Sequence, residues 1–458
     1  MSFQPQMNRL SLDQAPPLSI PLSFFATAPV FMALAGLLLA TRGLPLLASN
    51  WSPQTIGLTH LGTLGVLSMV MIGALYQMAP VVAAAPVPFI RIAHGVHFLL
   101  TLGVVMIAVG LLGVVSHCTY PGFLVVGLAL LLFLATVGTA LFRTQSKGET
   151  VWGMRVALVA LTLVMLLGLC MGRGYWDGSF PEARQLWLQT HFLLAFLGWV
   201  GGLISAVSWQ VVPMFYLSPP VASSSRKFVL AGVILGMLGL VGVFGAHLLG
   251  WIELSATGDP LWYSTATRST WFVALASAPA LAAVWGLHPH LIFHNLRKRR
   301  RKRIDGSLFF WQVGMCMAPL CGLLAVSMLF CNDARLPLEL GWIVIWGWAG
   351  MIIHGMLTRI VPFLIWFHRY SPYVGKVKVA SMRGLLPDTW TRVGFGLHLG
   401  TLVLGVLAIA LQQDVLVRLT GVGLLATASS LGWTIFHLIR QFPDLSTLPT
   451  PSDEELAP

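Results

Sequence analysis

Charge is the first thing this sequence lacks. Only 9% of its 458 residues are Asp, Glu, Lys or Arg, where a soluble domain carries roughly 25%. So few charges cannot coat a globular surface of this size, which excludes soluble enzymes, nucleic-acid binders and disordered scaffolds. Carboxylates are almost absent from the apolar runs, with Glu339 the main exception. Proton pumps usually need carboxylates in the span, so their scarcity argues against one. Cys118, Cys170, Cys316, Cys321 and Cys331 form no CxxC pair, so neither a disulfide framework nor a zinc knuckle is indicated. Most are expected as small core residues. The opening MSFQPQMNRLSLDQAPP has no cleavable signal pattern. No polar stretch is long enough to fold alone.

What is present is apolar: 57% hydrophobic residues and a mean hydropathy of +0.82. The runs reach about 20 residues or more without alternation, which predicts spanning helices and not barrel strands. The reading is an all-α, polytopic membrane protein with twelve spans, at 19–42, 55–83, 89–115, 121–143, 150–172, 188–217, 227–250, 268–292, 307–331, 336–367, 390–412 and 416–439. They form one membrane domain over 1–458, with tails at 1–18 and 440–458.

The net charge of +12 becomes a topology signal once the charges are located. Arg297, Lys298, Arg299, Arg300, Arg301, Lys302 and Arg303 form one run between spans 8 and 9. Arg9, Arg91, Arg143, Lys147, Arg226, Lys227, Arg369, Lys376, Lys378, Arg383 and Arg440 fall on the same side. The other side holds Arg42, Arg173, Arg184, Arg268, Arg335 and Arg418. Lys and Arg near span ends stay cytoplasmic, so both termini are expected inside a multi-pass protein of the cell's inner (cytoplasmic) membrane.

Spans 2, 6 and 10 share a pattern. They read THLGTLGVLSMVMIGALYQMAP, THFLLAFLGWVGGLISAVSWQVVP and LGWIVIWGWAGMIIHGMLTRIVP, closing on Pro80, Pro213 and Pro362. Three residues before each proline stands Gln77, Gln210 or Arg359; seven before it stands Gly73, Ala206 or Gly355. A repeat every fourth helix predicts three structural repeats about a pseudo-threefold axis, with each patterned helix ending at its proline.

This organisation resembles the catalytic subunit of haem-copper oxidases and nitric oxide reductases, whose ligands lie on helices 2, 6, 7 and 10. His60 with GALYQMAP resembles the low-spin haem helix of the reductases. His191 matches the first ligand of the copper or non-haem iron site. FGAHLLGW places His247 like the double-histidine element, with Leu248 as the second residue. On helix 10 the family's His-x-His is replaced by Leu340, Gly341 and Trp342. MLTRIVPF and the His60-to-Pro80 spacing look more like the NnrS proteins, haem- and copper-containing membrane relatives associated with nitric oxide stress. The resemblance implies an oxidase-subunit-I-like bundle that binds haem b, and copper or non-haem iron, without being a full terminal oxidase.

Neutral imidazole is a good ligand for haem iron and copper. His60, His191 and His247 fall at similar depth and are the candidate cofactor ligands. Ile56, Leu64 and Leu67 are expected to wall a haem on His60, with Gly57 letting the macrocycle approach. No CxxCH exists for c-type attachment. His94, His97, His354, His398 and His437 form a second group, read as polar contacts or as a second haem or proton relay. His117, His288, His290, His294 and His368 are read as interfacial. Arg359 is open to a haem propionate, an anionic substrate, a lipid headgroup or snorkelling. The functions in play are a haem protein for nitric oxide response, gas binding or electron transfer; a metal or small-molecule transporter; and a non-catalytic oxidase-like subunit or assembly partner. The expected partners are the lipid bilayer and a small redox protein or quinol, and no nucleic acid.

Overall fold

A computed structural model describes residues 15–252, 268–300, 302, 304–331 and 333–443. Arg9, Arg301, Arg303 and the acidic SDEEL segment at 452–456 lie outside the described residues. The protein is 81% helical, and no strand occurs among the described residues.

Twelve helices are long and apolar enough to cross a membrane: α1 Ser19–Arg42, α2 Pro53–Ala83, α3 Ile92–Leu111, α4 Ser116–Arg143, α5 Glu149–Asp177, α6 Arg184–Tyr216, α7 Ser223–Leu248, α8 Thr270–Arg297, α9 Gly306–Ser327, α10 Leu336–Tyr373, α11 Asp388–Leu411 and α12 Asp414–Ile439. Local chemistry sets their ends. The Ser52 hydroxyl accepts the Thr55 N–H at 3.2 Å and Pro53 opens the first turn of α2, which is how a helix N-terminus satisfies its free donors. Ala84 and Leu217 take the left-handed conformation that stops α2 and α6.

The expected threefold arrangement is present in the packing. Within the repeats α1–α4, α5–α8 and α9–α12 the same pairs touch: first with second, first with third, and third with fourth. The seams α4–α5, α8–α9 and α12–α1 close the ring. The second helix of each repeat lies inside it. Buried residues make up 89%, 78% and 72% of the apolar windows of α2, α6 and α10, against 28–56% elsewhere.

The sequence pattern explains this register. A Cβ on Gly73 would lie 2.6 Å from Phe24 of α1, and one on Gly355 would lie 2.4 Å from Phe310 of α9. Gly153 of α5 is the small partner at the third equivalent contact, 2.5 Å from the Ala206 methyl. The position seven before each proline is therefore where the inner helix meets the first helix of its own repeat.

Two expectations need correction. The prolines do not end the inner helices: Pro80, Pro213 and Pro362 lie inside helices that run on to Ala83, Tyr216 and Tyr373. Proline removes a single i→i−4 hydrogen bond, which a buried helix can absorb locally. The cysteines are not mainly core residues either. Only Cys321 is buried; Cys170 and Cys316 are exposed on the outer faces of α5 and α9, and Cys331 is exposed just past the end of α9.

Each inner helix also carries a π-helical stretch: Leu61–Ser68, Leu194–Val200 and Ile343–Gly350. Each ends about three turns before its proline. These stretches mark one level of the bundle, near its His60 end.

Candidate functional site

Helix α2 is α-helical from Pro53 to His60 and turns π-helical at Leu61. π-Bulges frequently occur at functional sites because they re-aim side chains. His60 Nδ1 lies 2.8 Å from the Ile56 carbonyl. A carbonyl only accepts, so Nδ1 carries the proton and Nε2 keeps its lone pair. The ring stands edge-on to Phe123 of α4, with centroids 5.7 Å apart.

His191 of α6 lines the same cavity as His60. Its Nδ1 is buried without a hydrogen-bond partner. Across from it is Gly168 of α5, where a Cβ would come within 3.2 Å of His191 Cε1. A larger residue at 168 would press on the ring. The two imidazoles thus converge between α2, α4, α5 and α6.

Both histidines line a cavity of about 620 Å³, within the size range of small-molecule and cofactor sites. Around them its walls are Leu64 and Leu67 of α2, Phe123, Val126 and Leu130 of α4, Val164 and Met165 of α5, and Phe196 of α6. The lining is overwhelmingly apolar. The cavity also extends between α6, α8, α9 and α10, and between α10, α12 and α1.

His60 faces away from α10. A Cβ on Gly62 would lie 3.1 Å from Ile345 of α10, and two residues along a helix point about 200° apart. Gly57 does not face the cavity as expected. A Cβ there would meet Leu111 of α3 at 3.3 Å, so this glycine serves helix packing.

The other candidates lie elsewhere. His247 is half-buried at the end of α7 and does not line the cavity, although its Nδ1 is also unpartnered. Arg359 is paired with Asp305 and donates from Nε to Ser307 Oγ at 2.8 Å. Ser307 Oγ also hydrogen-bonds the Tyr216 hydroxyl at 2.9 Å. Arg359 therefore ties α10 to the start of α9 and to α6. Among the described residues, no group of three or more His, Cys, Asp or Glu is arranged to hold a metal ion.

His354 is 3% exposed and lines the far part of the cavity. Its Nδ1 lies 3.0 Å from Nδ1 of His398, whose Nε2 lies 3.0 Å from the Trp346 carbonyl. For neutral rings the carbonyl fixes both tautomers: His398 donates from Nε2, and His354 donates from Nδ1. The chain ends on a carbonyl, which cannot pass a proton onward. Of the other histidines in this group, His97 contacts the Thr27 hydroxyl at 2.8 Å and His437 contacts Gln441 at 2.7 Å. His288, read as interfacial, is fully buried and 2.9 Å from Ser208 Oγ.

Sequence reasoning missed Gly168, Phe123 and Gln189, all of which line the cavity. Gln189 was legible as the second of two amides, with Gln185, in the turns before His191. Gly168 and Phe123 carry no local signal. No protein-family model matches the chain, and no curated protein is significantly similar to it.

Proposed function

We propose that the protein is a haem-binding membrane protein of electron transfer, with a b-type haem held in the cavity by His60. One observation carries this reading. His60 is held by its Nδ1–H on the Ile56 carbonyl, which leaves Nε2 as a basic, oriented ligand at an apolar cavity that His191 also lines. Anchoring of the second ring nitrogen is the usual support of a metal-ligating histidine. Two imidazoles would suit haem better than a lone copper ion, since haem would bring its own nitrogen ligands and ask little more of the protein. The apolar walls suit its macrocycle, and Gly168 leaves His191 free of side-chain pressure.

With His191 as the second imidazole, the two rings would hold the haem between α2 and α6. The haem supplies one-electron chemistry when bound; the chain's residues position it and exclude water. The resemblance to the NnrS proteins supports a setting in nitric oxide response. The Lys and Arg distribution supports an inner-membrane protein with both termini cytoplasmic, so that His60 lies in the outer half of the bilayer. The test is a visible absorption spectrum of the protein purified in detergent from haem-replete cells. A Soret band with sharp reduced α and β bands is expected. A protein that takes up no haem under these conditions refutes the reading.

A further inference from the structure

An unmatched charge stands at the rim of the apolar cavity. Leu188, His191, Phe192 and Ala195 line the cavity along one face of α6, and Arg184 continues that face one turn nearer the helix start. On α5 the lining stripe Val164, Gly168 and Leu169 continues in the same way to Tyr175. The two ends meet: Arg184 Nη2 donates to the Tyr175 hydroxyl at 3.2 Å. The guanidinium lies 3.8 Å from the Phe180 ring centroid and 5.3 Å from that of Trp51, whose neighbour Asn50 lines the cavity. These rings hold the cation at the end of the cavity that contains His60 and His191.

Arg184 lacks what comparable arginines have. At the same end of the bundle Arg173, Arg335 and Arg418 are each paired with an aspartate. Arg359, at the other end of α10, is paired with Asp305. Among the described residues Arg184 has no carboxylate partner, and Tyr175 is the one hydrogen-bond acceptor it meets. It is half-buried. An aromatic face orients a guanidinium but offers no acceptor in its plane, so the remaining N–H groups stay open. Their planar fork matches a carboxylate. Neutral apolar ligands bring no charge to meet it.

We infer that Arg184 binds the carboxylate of the cavity's ligand, an amphipathic acid whose apolar body lies along the walls. Which acid it is rests on the haem reading above. A haem ligated by His60 carries two propionates, and Arg184 stands seven residues, about 10 Å, before His191 on the same face. A long-chain fatty acid shares the chemistry and needs no histidine.

The test is equilibrium binding to protein from haem-limited cells, in phosphatidylcholine nanodiscs with empty nanodiscs as the blank. The ligands are two acids and their esters: haem and its dimethyl ester, oleate and methyl oleate. The acid is expected to bind about tenfold more tightly than its ester, the worth of one hydrogen-bonded charge. Arg184→Gln is expected to erase that preference while the ester binds as before, and Arg184→Lys to keep part of it. A purely structural arginine would weaken acid and ester alike. An Arg184-dependent preference for haem over its ester supports both readings. The same preference for oleate, in a parent that takes up no haem, would keep the carboxylate site and sink the haem. No saturable binding of either acid, no preference over the esters in the parent, or a preference that survives in Arg184→Gln would overturn the inference.

Discussion

At the residue scale the account rests on what surrounds each polar side chain in an apolar bundle. His60 and His191 stand out in the sequence because an imidazole within a span needs a partner or a task. Depth could be read from their distance to the prolines, but direction around the helix could not. His247 was therefore grouped with them, although the structure leaves it outside the cavity. Gly168 is the least legible contributor, being one glycine among 46. Gly168→Leu should press on the His191 ring and abolish six-coordinate haem while the protein still inserts; an unchanged reduced spectrum would contradict the role given to this glycine. Arg359 makes the opposite case. Its partner Asp305 lies 54 positions earlier and only the fold joins them. Arg359→Gln should lower stability by about 2 kcal/mol, between the values for exposed and buried pairs, with no change in the haem spectrum. Thermal unfolding in detergent measures the first and absorption the second.

Helices carry the repeat. The small residue seven before each proline was readable, and in each repeat it marks contact with the first helix. The π-helical stretches were not readable, because they change hydrogen-bond register without changing composition. The predicted spans already carried the inner helices past their prolines, to 83, 217 and 367; only the extension of α10 to Tyr373 was not readable. The seam glycines give a direct check on the ring. Gly421 lies against the backbone of Ala40, where no side chain can yield. Gly421→Val should cost about 3 kcal/mol or more, the upper range for overpacking. The matching change at Gly242, where a Cβ would meet nothing within 4 Å, should be nearly neutral in the same unfolding assay.

For the whole molecule, twelve spans and three repeats were legible from hydropathy and proline spacing, since lipid forces every backbone group into helices. The proposed sidedness rests on the basic residues alone. A reporter fused after Pro458 should be active in its cytoplasmic form; activity only outside the inner membrane would reverse the topology. The missing His-x-His on α10 carries a functional expectation too. Pure protein with a supplied reductant should not consume oxygen at an oxidase-like rate, and rapid consumption would contradict the reading.

The central claim is that His60 ligates a haem. It is tested most directly by comparing dithionite-reduced spectra and haem content of the parent, His60→Ala and His191→Ala proteins at equal concentration. The account predicts haem with a six-coordinate spectrum in the parent, loss of haem in His60→Ala, and a five-coordinate, carbon monoxide-binding haem in His191→Ala, with membrane insertion unchanged in all three. A parent without haem, or a His60→Ala protein with the parent's spectrum, would contradict it.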